Sequence, residues 1–68
     1  METKEFLKRV KAYARETGQP YSFDPKHGKG SHGRVTLGAR FTTVKRGEFG
    51  PGLLNKMLDD LGIDKKEF

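Results

Sequence analysis

Residues 34–45 read Arg34-Val35-Thr36-Leu37-Gly38-Ala39-Arg40-Phe41-Thr42-Thr43-Val44-Lys45, two runs rich in β-branched residues on either side of a Gly-Ala pair. Apolar and polar residues alternating with a period of two specify half-buried strands, and a two-residue connection that begins with glycine suits a type II′ hairpin. Strands are therefore expected over 34–37 and 40–45. The implied register pairs Leu37 with Arg40, Thr36 with Phe41, Val35 with Thr42 and Arg34 with Thr43. Val35, Leu37, Thr42 and Val44 then share one face, with Arg40 at its end. His32, Arg34, Thr36, Phe41, Thr43 and Lys45 line the other. Phe41 is the anomaly of this register, because a one-residue slip would turn it inward.

Working outward, Tyr21-Ser22-Phe23-Asp24 is a shorter alternating strand closed by Pro25. Upstream, residues 3–17 carry the period of a helix, with Phe6, Leu7, Val10, Tyr13 and Ala14 on one face. Thr3 is the expected cap, Gly18 the expected left-handed stop, and Pro20 blocks continuation. Lys4, Lys8, Lys11 and Arg15 form a second, wholly basic stripe, which reads either as a solvated face or as a surface that meets phosphates. Downstream, a helix is expected from about Pro51, with Leu53, Leu54, Met57, Leu58 and Leu61 as its apolar face and Gly62-Ile63 as a Schellman stop. Residues 64–68 are expected to fray apart from a contact by Phe68. The order helix, three strands, helix predicts a single domain over 1–68 of the α+β class. It is a two-layer αβββα arrangement, a three-stranded antiparallel sheet with both helices on one face. Double-stranded-RNA-binding domains have the same order.

The 68 residues include 14 Lys or Arg, 9 Asp or Glu and no cysteine, for a formal charge of +5. A basic balance favours anionic partners, nucleic acid foremost. Without cysteine there are no disulfides and no thiolate metal sites. The longest apolar run is Ala12-Tyr13-Ala14, far short of a membrane span or a signal peptide, so a cytoplasmic protein without membrane association is expected.

The chemistry concentrates in Lys26-His27-Gly28-Lys29-Gly30-Ser31-His32-Gly33, which holds both histidines of the chain. Glycine lets backbone approach a ligand, lysine attracts phosphate, and histidine titrates near neutral pH. Gly28 to Val35 also matches the pattern G-x-G-x-x-G-x-V. A dinucleotide fingerprint needs a strand before it and a helix after it, whereas a strand follows here, so no nucleotide cofactor is expected. His27, His32 and Asp24 have no metal-ligand spacing, and nearby lysines repel cations, so no metal is expected either. Ser31 and His32 are sequence neighbours and point to opposite sides of a strand, which excludes a nucleophilic pair. Asp59-Asp60 diverge and read as solvated charge.

Metal-free RNA cleavage needs little machinery. A base takes the proton of a ribose 2′-hydroxyl, that oxygen attacks the adjacent phosphorus, and cations stabilise the charge that builds there. His32 is the candidate base, and Lys29, Arg34 and Lys45 are the candidate cations. Two other classes remain open: a non-catalytic RNA-binding module of the same fold, and an interaction protein whose basic surface meets an acidic partner.

Lys29-Gly30-Ser31-His32 entering a strand, Arg40-Phe41-Thr42-Thr43-Val44, Phe49-Gly50-Pro51-Gly52-Leu53-Leu54 and Met57-Leu58-Asp59-Asp60-Leu61-Gly62-Ile63 together resemble the HicA (YcfA-like) toxins. These are mRNA-cleaving members of bacterial toxin–antitoxin pairs. The likeness covers about residues 21–63. It implies a double-stranded-RNA-binding-like fold and a metal-independent endoribonuclease that blocks translation, with His32 as its catalytic residue. It also implies a HicB-like antitoxin that covers the site and through which alone the pair touches DNA. On this reading Lys29 holds the scissile phosphate, while Ser31, Gly28, Gly30 and Gly33 shape the loop. Lys4, Lys8, Lys11, Arg15, Lys26, Arg34 and Lys45 follow the backbone of a single-stranded or messenger RNA. Gly50-Pro51-Gly52 serves as a helix cap or as a further phosphate site. The chain departs from the family pattern at Gly33, where the family often has a strand side chain after the histidine.

Overall fold

The computed structural model describes residues 1–26 and 32–68. Its elements are α1 (Thr3–Thr17), β1 (Tyr21–Asp24), β2 (His32–Leu37), β3 (Arg40–Lys45) and α2 (Pro51–Leu61). The strands form one antiparallel sheet in the order β1-β2-β3. This is the α+β layout expected from the sequence, in the expected register: Leu37 faces Arg40, and Val35 faces Thr42. β2 begins two residues earlier than its residue types indicate, because His32 and Gly33 find ladder partners in Lys45 and Val44.

The hairpin turn follows from backbone sterics. Gly38 has φ +62°, whereas no residue other than glycine has positive φ among the described residues. Ala39 therefore keeps negative φ, which excludes the type I′ turn and leaves the expected II′ form.

The core lies between the sheet and the helices. Val35, Leu37 and Val44 from the sheet are buried against Phe6, Val10 and Ala14 of α1 and Met57, Leu58 and Leu61 of α2, with Phe49 and Ile63 at its margins. Burying a side chain of this size contributes about 1.5–3 kcal/mol each, which a short chain needs in full. Phe6 is the hub, meeting Phe49 edge-on at 5.7 Å between ring centres and Phe68 at 5.6 Å. The last residues do not fray as expected. Asp64–Glu67 closes a turn, Glu67 N–H to the Asp64 carbonyl at 2.9 Å, and this carries Phe68 onto Phe6 and under Arg9.

Both helices end as expected. Gly18 and Gly62 have φ of 68° and 70°, and the Ile63 N–H reaches the Leu58 carbonyl at 2.9 Å in a complete Schellman arrangement. The start of α1 differs. Glu2, not Thr3, is the cap residue, and it makes no side-chain cap bond. Thr3 is instead spent on the sheet: its hydroxyl donates to the Lys45 carbonyl at 2.7 Å, and its N–H donates to the Gly47 carbonyl at 2.9 Å. The carbonyls at the end of β3 lack ladder partners and outcompete a local cap.

α2 is tied to the same strand from the other direction. Thr42 is the one buried polar side chain of the described core, and its hydroxyl donates to Asp60 at 2.9 Å. Lys56 Nζ reaches the same carboxylate oxygen at 3.1 Å. Asp60 is therefore a structural anchor as well as a charge, whereas Asp59 faces outward to Lys65.

Gly33 is buried on the core face of β2, where a Cβ would sit 2.8 Å from Phe23 Cε1 and 2.9 Å from the Asp24 carbonyl oxygen. Backbone oxygen in a paired strand yields little, so any side chain here overpacks the β1–β2 pair.

Two outcomes are expected. Gly33→Ala lowers stability by about 1–3 kcal/mol in urea titrations, through overpacking against β1. The hydrogen bonds from Lys56 and then Thr42 hold the Asp60 carboxyl below its ordinary value of 3.8. Stability from this group is therefore complete above that value and drains away as pH falls through and below it. Melting curves from pH 6 to pH 2 should show a drop that is shallower in Asp60→Asn, a variant already less stable than wild type at pH 7.

Candidate functional site

Strand periodicity sorts the sequence-derived candidates onto surfaces. Residues in phase with Val35 and Val44 enter the core, and those out of phase form the open face of the sheet. Along that face the register gives three rows: Ser22, Thr36 and Phe41; then Asp24, Arg34 and Thr43; then His32 and Lys45. His32 and Lys45 are both exposed and directly opposite one another, which sets their Cβ atoms about 4.5–5.5 Å apart. Arg34 follows His32 on the same side, one row along.

Arg34 is half-buried, with its guanidinium carbon 4.3 Å from the centre of the Phe41 ring. The contact is diagonal across the β2–β3 pair, within reach of a long side chain and an aromatic ring. Arg34 Nε is buried without a hydrogen-bond acceptor among the described residues, and the guanidinium rests on the ring. The candidates identified from sequence include Arg34 but not Phe41. The signal was present in the hairpin register, which already set the two residues on one face and one row apart.

The other candidates fall elsewhere. Lys26 lies in the turn after β1, its N–H donating to Asp24 Oδ1 at 3.0 Å. Lys29, Gly30 and Ser31, together with His27 and Gly28, lie outside the described residues. Lys8, Lys11 and Arg15 are exposed on α1, whose apolar face packs against the core side of the sheet. They form a surface distinct from the His32 face. Lys4 lies at the start of that helix and borders a groove of about 390 Å³ with Leu7, Phe23, Pro25, Gly33 and Arg46. The groove opens on the helix side, so Gly33 borders it while the neighbouring His32 points to the opposite face. Gly50 caps α2 in extended conformation and is exposed, as is Gly52.

Among the described residues no three His, Asp or Glu side chains gather as a metal site would require. No helix among them is long and apolar enough to cross a membrane. The arrangement on the open face provides an accessible imidazole, two cations on the same surface and an exposed aromatic ring. These are the elements of proton transfer beside a bound anion. No protein-family model matches the chain, and no curated protein or solved structure matches it significantly.

Proposed function

We propose that the chain is a metal-independent endoribonuclease of the HicA toxin type, which cuts mRNA and is held inactive by an acidic, HicB-like antitoxin. The observation that carries this reading is the exposed His32 directly across from Lys45, with Arg34 one row away on the same face. The αβββα order and the sequence Gly30-Ser31-His32, whose histidine begins β2, support it further.

On this reading the His32 imidazole removes the proton of a ribose 2′-hydroxyl. The freed oxygen attacks the neighbouring phosphorus, and the bond to the 5′-oxygen breaks as that oxygen takes a proton from solvent. The products are a 2′,3′-cyclic phosphate and a 5′-hydroxyl. Lys45 and Arg34 stabilise the charge that accumulates on the phosphoryl oxygens. A positioned base of this kind is worth about 10²–10⁴ in rate. The excess of cations supplies affinity for the RNA backbone without sequence choice.

Incubating the purified chain with a defined transcript tests the proposal. Cleavage should persist in EDTA and leave cyclic-phosphate ends. His32→Ala should lower the rate by about 100-fold or more and abolish growth inhibition on expression, while its melting temperature stays near that of wild type because the side chain is exposed. Equal cleavage by wild type and His32→Ala would sink the assignment.

A further inference from the structure

Phe41 is 53% exposed, the one large apolar side chain left so among the described residues, and neither the core nor the proposed chemistry at His32 uses it. We propose that the open sheet face is a stacking platform for single-stranded RNA, in which one unpaired base adds to the stacked pair of Phe41 and Arg34 while the strand runs along β2 and β3 to His32.

The guanidinium lies over one face of the Phe41 ring, 4.3 Å from its centre, so the pair is a short stack that a base can extend, on an otherwise low relief of Ser22, Thr36 and Thr43. Any nucleobase has a π-face that such a surface accepts, and the cation strengthens the stack. The charge on the face fits a phosphate chain: among the described residues of these rows, Arg34 and Lys45 stand against the one carboxylate of Asp24. A lone aromatic ring among hydroxyls and cations is also unlike the centre of a protein interface, where apolar residues cluster and charge is depleted.

Spacing supports the same path. Thr36, which is opposite Phe41, is four residue steps along the strand from His32, so the two ends of the platform lie about 13–14 Å apart. A stretched single strand advances roughly 6–7 Å per nucleotide, about twice the stacked rise. The stacked base therefore falls about two nucleotides from the linkage at His32. A duplex could not use this surface, because its bases are already paired and stacked.

The position of the base along the strand rests on the reading of His32 as the cleaving group; the platform itself is tested by binding. Labelled single-stranded RNA is titrated against His32→Ala, with and without Phe41→Ala, and against a duplex of the same sequence. Phe41→Ala should weaken single-strand binding about tenfold and leave the salt dependence unchanged, since no charge is removed. Phe41→Trp should restore binding. RNAs carrying one abasic nucleotide at successive positions should lose affinity at one position only, and that loss should vanish in Phe41→Ala. Circular dichroism checks that the exposed substitution leaves the fold intact.

If Phe41-dependent binding is found but wild type cuts nothing, the ribonuclease reading fails and the platform stands. If cleavage occurs and binding is indifferent to Phe41, the platform fails and the ribonuclease reading stands. Preference for duplex, or a Phe41→Ala defect confined to binding a protein partner, overturns the platform.

Discussion

Every surface of this domain depends on the register between β2 and β3, and that register depends on a two-residue turn. Because side chains alternate along a strand, moving the pairing by one residue would expose Val35, Leu37 and Val44 and bury His32, Arg34, Phe41 and Lys45. Gly38 prevents this by supplying the positive φ that a tight turn demands without steric cost. Burial of the apolar face and presentation of the polar face are thus a single structural decision. A chain of this size has little surplus stability with which to tolerate a mixture of registers.

The helices then dock on β3 at its two halves. Thr42 reaches across to Asp60 of α2, while the last carbonyls of the strand receive Thr3 at the start of α1. Neither contact is large alone, since a hydrogen bond adds about 0.5–1.5 kcal/mol net. Their placement matters more, because they fix where the helices sit along the strand while the apolar core fixes how closely they approach. Phe68 extends that core from the far end of the chain and covers an edge of Phe6 that two helices alone leave open. On the opposite side of the sheet nothing comparable is packed among the described residues, and the imidazole, the two cations and the ring share that surface.

Much of this was legible in the residues. The strand phase, the II′ turn, both glycine stops and the inner faces of the helices follow from local rules that tertiary contacts reinforce. What escaped the sequence were choices between partners. Thr3 has the chemistry of a cap, but carbonyls forty residues away offer it a better bond. Asp60 looks identical to Asp59 until the sheet brings Thr42 beside it. Phe41 reads as an error of register because periodicity shows which face a ring occupies but not what shares that face with it. Of the candidate site, His32, Arg34 and Lys45 come together as the alternation requires. The stripe on α1 belongs to another surface, which a helical wheel cannot reveal.

The β1-β2-β3 meander has a kinetic consequence. Each strand pairs with its neighbour in the chain, so the sheet assembles by short loop closures that cost little entropy, and domains with such local pairing fold fast. A far longer closure is the return of residues 1–3 to the segment after β3, where the Phe49 N–H meets the Met1 carbonyl at 2.9 Å. Docking of α1 is the step that brings distant parts of the chain together, so it carries a larger loop-closure cost than the sheet does.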